Sequence, residues 1–383
     1  MEIEGARRSG QIAARSGADV EARLLQHLHQ AGYTRVEPPI LQDAAIFLDL
    51  GGEEIRASLY LTGDGSGTEL CLRPEYTIPA CRTYLETDHD GSPAAFCYAG
   101  PVFRQQAHDG GESRQAGLET FGRTDIAAAD AETLAVALAA AASAGAPDFA
   151  ITMGDAGLMT AFLDVLDLPP LWQRRLRRGL ERGQSLDEIL AGAPSPGRDR
   201  AGGAGALTGA NGSDAQALIE DLLSAAGIAA VGGRSVGEIA ERFLAQVAQQ
   251  SSAGFGAERR AMLTRFLAIS GDLDRVSAEL RRLARDAPAD LGASLDLFDE
   301  RTGFIAAQEI DLATITFRTA FARSLDYYTG FVFEARAADG PGSGVLVGGG
   351  RYDRLAQALG SAGPIPAVGA AIWIDRLAEG RGR

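Results

Sequence analysis

A chain of 383 residues, 46% apolar and 23% charged, has the balance of a globular protein and can bury one large core or two to three modest ones. Its net charge of −15 argues against a nucleic-acid partner, because phosphate binding depends on clustered positive charge. All 36 cationic residues are arginine, which, with the richness in Ala and Gly, reads as base-composition bias rather than chemistry.

Cys71, Cys81 and Cys97 form neither a disulfide framework nor a metal spacing, as expected in a reducing cytosol. The N-terminus MEIEGARRSG lacks the apolar core of a signal peptide. No apolar run approaches the ~20 residues needed to cross a bilayer. The expectation is a soluble cytoplasmic protein without metal or cofactor.

Along the chain, Val20, Leu24, Leu25 and Leu28 set a helical spacing over 18–31, with Gly32 at its stop. Two prolines within 33–41 favour an extended path. Strands are predicted at 56–62 and 69–73 around a Gly-rich turn, and a helix from Pro74 through Arg82. Segments 94–105 and 114–122 read as a hairpin. A helix (130–144), a strand (149–153) and another helix (155–166) follow. From 168 to 307 the pattern is helical, broken by the Gly-rich loop 197–212. The arginine cluster Arg174–Arg178 there reads as a solvated or partner-facing surface. Strand character returns at 313–336 and 344–348, then a helix at 351–359 and an apolar closing segment, 367–377. The layout is α+β: an antiparallel sheet core in two parts, 1–167 and 308–383, interrupted by a helical insertion, 168–307.

Five motifs carry the chemistry: Leu72-Arg-Pro-Glu-Tyr-Thr77, Tyr98-Ala-Gly-Pro-Val-Phe-Arg104, Gln115-Ala-Gly-Leu-Glu119, Arg323-Ser-Leu-Asp-Tyr-Tyr328 and Gly348-Gly-Gly-Arg-Tyr-Asp353. Each has an ordinary structural reading. Pro followed by Glu is good helix N-terminal chemistry. Gln115 and Glu119 share one face of an extended strand, as polar residues on a solvent face also do. Tyr327 and Tyr328 suit a β core, and three glycines after a strand suit a tight turn.

In order and spacing, over about 30–155 and 313–377, these motifs resemble the catalytic core of histidyl-tRNA synthetase, a class II aminoacyl-tRNA synthetase. The resemblance implies that core fold and a pocket for free histidine. Glu75 and Thr77 would hold the amino group, and Gln115 and Glu119 would line the pocket. Arg104 matches the arginine that meets the ATP α-phosphate, Arg323 would sit beside the carboxylate, and Tyr327 and Tyr328 would approach the imidazole. Such a site is chemically sensible. An ammonium wants acids and neutral acceptors, a carboxylate wants an arginine fork, and an imidazole wants an aromatic wall.

The departures point elsewhere. The family's FR-x-E is here Phe103-Arg-Gln-Gln106, the loop after it looks shortened, and an arginine is missing near Gly111. Trp373 stands in the last motif, before Asp375-Arg376, with the volume to fill the adenine space. The chain stops seven residues after Arg376, and the expectation is a core with no anticodon-binding domain. Histidine recognition kept while ATP activation and tRNA binding are lost resembles the regulatory subunit of the short-form ATP phosphoribosyltransferase. The resemblance implies no catalysis by this chain. It implies assembly with a short catalytic subunit as a hetero-octamer, a self-dimer through the class II core, and feedback inhibition by histidine. The competing reading is a minimal enzyme that activates an amino acid with ATP. A third is a scaffold with a vestigial pocket.

Overall fold

The computed structural model describes residues 17–87, 91–105, 110–146, 148–168, 170–191, 256–287, 290–323, 325, 327–338 and 344–380. They fall into two compact units, one ending at Val165 and resuming at Phe266, the other Leu166–Arg265.

In the first unit, α1 (17–30) buries Val20, Leu24 and Leu28 and stops at Gly32, whose φ of 91° suits a residue without Cβ. It leads to β1 (Thr34–Arg35), then β2 (Leu41–Asp43) and α2 (Ala44–Leu50), capped by the Asp43 side chain at the Ala45 amide, 2.9 Å away. Next come α3 (Gly52–Ser58), β3 (Leu61–Gly63), β4 (Glu69–Leu72) and α4 (Thr77–Glu86). The hairpin β5 (Ala94–Phe103) and β6 (Glu112–Phe121) is followed by α5 (Ile126–Ser143), β7 (Phe149–Asp155) and α6 (Ala156–Val165).

The second unit holds α7 (Pro170–Glu181), α8 (Leu186–Ala191) and most of α9 (Ala257–Leu267). Leu176, Ile189 and Leu263 are buried, and Arg260 pairs with Asp187 at 2.6 Å. The Gly-rich segment 197–212 lies outside the described residues.

The first unit resumes with β8 (Ser270–Gly271), α10 (Leu273–Asp286), α11 (Gly292–Ala307), β9 (Ile315–Arg318), β10 (Phe331–Ala337), β11 (Val347–Arg351), α12 (Leu355–Ala358), β12 (Ala367–Trp373) and α13 (Ile374–Gly380). Nine described strands form one sheet in the order β1-β5-β6-β12-β11-β10-β7-β9-β8, and β2-β4-β3 form a second. In the large sheet only β1 with β5 and β7 with β9 run parallel. Helix α5 lies on β6, β11 and β12 and packs against α11. It is the one described helix long and apolar enough to cross a membrane, but more than half of it is buried here.

The α+β core and the hairpin agree with the pattern read from the sequence. Three local readings are corrected. The stretch 56–62 opens in helix α3, because Ile55 and Leu59, four residues apart, both bury. The helix expected from Pro74 begins at Thr77. The glycines Gly348–Gly350 occupy the middle of β11 rather than a turn.

On one side of the sheet the core is aromatic. Tyr84 stacks on Phe121 at 4.6 Å, and Tyr352 meets Phe121 edge-on at 6.3 Å. Each such side chain, fully buried, contributes roughly 1.5–3 kcal/mol.

Candidate functional site

Three strands build the floor of a pocket. In their register Glu119 of β6 faces Gly369 of β12, which faces Gly350 of β11, while Gln115 pairs with Trp373. Small residues here make room for large neighbours. A Cβ on Gly369 would collide with the Glu119 carboxylate, one on Gly117 with the Tyr98 hydroxyl, and one on Gly348 with the Arg323 guanidinium. The glycines of GGGRYD and of the closing strand are thus there for side chains that cross over them.

Glu119 lies at the bottom, 1% exposed. Its Oε1 accepts from Thr77 Oγ1 at 2.8 Å and from the Tyr98 hydroxyl at 3.0 Å. Its Oε2 accepts from the Tyr352 hydroxyl. Burial pushes this carboxyl up to about 8, against the pull of the hydroxyls of Tyr352, Thr77 and Tyr98. Glu75, its neighbour, is also raised by burial. Both Glu75 oxygens are taken by backbone, the Thr77 amide at 2.6 Å and the Ile78 amide at 2.9 Å. The helix-terminus chemistry read from Pro74-Glu75 is therefore real, and Glu75 lines the pocket as well.

The opposite wall comes from the segment before β10. Arg323 Nη1 donates to the Phe333 carbonyl at 3.0 Å, lies 3.7 Å from Glu334, and its guanidinium sits 5.9 Å from the Tyr328 ring centre. Tyr327 and Tyr328 are adjacent rings at 5.1 Å, and Tyr327 meets Tyr352 edge-on at 5.8 Å. Arg104 Nε donates to the Pro74 carbonyl at 2.8 Å.

Seven of the eight predicted residues, Glu75, Thr77, Arg104, Gln115, Arg323, Tyr327 and Tyr328, line one cavity of about 50 Å³. That is several times the ~10–15 Å³ which one water centre needs. The eighth, Glu119, is the carboxylate beneath it, bonded to Thr77. Trp373 lines the same pocket, with the Arg376 guanidinium 5.1 Å from its ring centre. Gln105, in the stretch where the synthetases carry an acid, donates to the Leu59 carbonyl at 3.0 Å, and Gln106 lies outside the described residues.

Sequence reasoning missed Tyr98 and Tyr352, although both stand inside motifs it quoted. The signal was available for Tyr98: it precedes Arg104 by six residues, an even offset that puts both on one face of a strand.

Behind the pocket wall lies a second buried polar cluster. Asp130 of α5 accepts from Arg301 Nε of α11 at 2.7 Å and from Arg351 Nε of β11 at 2.8 Å. Arg301 continues to Asp155 at 2.8 Å and Arg351 to Asp353 at 2.7 Å. The Thr329 amide bonds the Arg351 carbonyl at 2.8 Å and its Oγ1 accepts the Asp353 amide at 3.0 Å, so the end of the Tyr327–Tyr328 segment is tied to the same strand.

A family model described as histidyl-tRNA synthetase matches residues 7–218 and 215–377. The chain is 40% identical over 348 residues to the ATP phosphoribosyltransferase regulatory subunit of Brucella ovis, covering 89% of this chain and 92% of that one. The subunit of Brucella melitensis biotype 1 is likewise 40% identical, with 91% of its length covered. In fold it is similar to an ATP phosphoribosyltransferase regulatory subunit/histidyl-tRNA synthetase from Bacillus halodurans, with TM-score 0.67, 21% identity, and 96% of this chain and 79% of that chain covered. It is also similar in fold to a histidine–tRNA ligase subunit from Alicyclobacillus acidocaldarius, with TM-score 0.62, 24% identity, and 97% and 94% covered. With the class II core in place and two-fifths of its residues shared over nearly the whole length of these relatives, the chain belongs to the family of ATP phosphoribosyltransferase regulatory subunits.

Proposed function

We propose that this chain senses free histidine for an ATP phosphoribosyltransferase, binding it in the Glu119 pocket and passing its occupancy to a catalytic subunit. Membership of the regulatory family assigns the chemistry to that partner and stands against the amino-acid-activating reading. The observation that carries the histidine part is the convergence of Glu75, Thr77, Gln115, Arg323 and the tyrosine pair on one cavity, with Glu119 beneath it. Two acids and a threonine suit an ammonium, Arg323 a carboxylate, and the tyrosines a flat ring. Inhibition then requires histidine to bind one state of the assembly better than the other, with a coupling of ~1–3 kcal/mol. Dimerisation through the class II core, a hetero-octamer with equal numbers of both subunits, and a cytoplasmic location belong to the same proposal.

Calorimetric titration of the chain with histidine, and separately with ATP, tests it. The expected result is histidine binding without ATP binding. Adding the chain to a short-form catalytic subunit is then expected to raise its activity, and histidine to lower it again. Binding of ATP together with histidine-dependent exchange of pyrophosphate into ATP would return the activating-enzyme reading. Failure of histidine to bind the chain or its assembly would leave a scaffold.

A further inference from the structure

The carboxyl at the pocket floor is held by hydroxyls, and neither arginine lining the cavity bonds it, although the charge of Arg104 is felt by its neighbour Glu75. Arg104 donates to the Pro74 carbonyl and Arg323 to the Phe333 carbonyl beside Glu334. The titratable groups that face Glu119 are Glu75, Cys81, Tyr98, Tyr327, Tyr328 and Tyr352, each acidic or neutral. An ionised carboxylate here, 1% exposed, has no guanidinium bonded to it among the described residues to supply the paired charge that burial demands. A protonated one fits. Hydroxyls are rotors that donate or accept, so one of the three can turn and accept the carboxyl proton.

We propose that Tyr98 and Tyr352 are positioning residues of this site, whose hydroxyls hold Glu119 ready to exchange its proton for the cationic group of the ligand. Binding therefore releases a proton. This deepens, and rests on, the histidine reading above. The carboxyl O–H bond breaks, its proton leaves for the buffer, and a charge-assisted hydrogen bond from the ligand's ammonium, already protonated at neutral pH, takes its place. No electron transfer is involved. With the empty carboxyl pushed up to about 8, the proton is held at neutral pH and the arriving cation draws the group back toward its usual range. Affinity is then expected to rise by up to about tenfold per pH unit through the neutral range and to level off above about 8.

The test is calorimetric titration of the whole chain with histidine at neutral pH in two buffers of different ionisation enthalpy. The expected difference corresponds to release approaching one proton, and Glu119→Gln is expected to remove it. Tyr352→Phe deletes one donor to the carboxylate and is expected to move the affinity profile to higher pH. A merely structural role would lower affinity equally at every pH. Identical buffer-corrected heats, or a Tyr352→Phe profile parallel to that of the unaltered protein, would overturn the proposal. Should histidine not bind, the functional reading fails by itself. The resting proton is then read on the free protein, from the protonated-carboxyl infrared band that Glu119→Gln removes. Finding that band at neutral pH supports the proposal, and its absence overturns it.

Discussion

Two buried acids sit on opposite sides of the same sheet and are answered in opposite ways. Asp130, on the helical side, is bound by the guanidinium groups of Arg301 and Arg351. Glu119, on the pocket side, is bound by hydroxyls from Thr77, Tyr98 and Tyr352. Burial pushes both carboxyls above their usual range, and of the two Asp130 is the one bonded by guanidinium groups that pull it back. The difference separates a closed polar cluster from an open one. Asp130 is complete without help, so its business is to hold α5, α11 and β11 together. Glu119, in the proposal above, keeps its proton until something cationic arrives.

Breaking the closed cluster should have the largest effect. Asp130→Ala leaves Arg301 and Arg351 buried without their shared partner, and is expected to cost about 3–5 kcal/mol in urea denaturation. A loss below about 1 kcal/mol would mean that the cluster contributes little.

The open site should show itself in the pH dependence of stability. A carboxyl raised by burial favours the folded state fully below its ordinary value of 4.5, and that contribution is lost as pH rises through about 8. Denaturation midpoints of the ligand-free protein should therefore fall between those limits. Glu119→Gln should flatten the fall, by a few kcal/mol in total at about 1.4 kcal/mol per pKa unit. Parallel curves would put the proton elsewhere.

Glu119→Ala should abolish histidine binding, with Kd weakened more than about 100-fold, or ~2.7 kcal/mol, while assembly with the catalytic subunit stays intact. Unchanged affinity would remove the residue from the site. The smallest expected effect is that of Gly348→Ala. Its added methyl meets three atoms of the Arg323 guanidinium before anything else, so the side chain is displaced rather than the strand. Affinity should fall about tenfold with the melting temperature nearly unmoved. A large drop in melting temperature would show that β11 itself had shifted.

The contrast between the two acids also explains what could be read from the residues alone. Thr77, Gln115, Arg323 and Tyr328 were legible because each stands in a short run whose order and spacing are preserved. Tyr327 and Tyr328 announced aromatic character locally, and Gln115 and Glu119 shared a face by the period of two. The Asp130 cluster was invisible because its chemistry is pairwise and distant: Arg351 and Asp130 stand 221 positions apart. Asp130 itself sits inside an Ala-rich helix that reads as plain core. The glycines were misread for a related reason. A Gly run suggests a turn when only backbone freedom is considered, but Gly348 and Gly369 are needed for the volume their neighbours occupy. The end of the short helix α3, 56–58, was taken for strand because the helix has too few apolar residues to show a period.

Gly348 also has a genetic consequence. One base change converts a glycine codon to alanine, and at this position the new methyl meets the Arg323 guanidinium, which we propose receives the effector's carboxylate, before it meets the chain's framework. With the inhibition proposed above, cells challenged with a toxic histidine analogue are expected to survive by keeping the pathway running in its presence. Among the single-step lesions open to them, a substitution at Gly348 is expected to recur, since on the proposed reading it weakens histidine binding without dismantling the assembly.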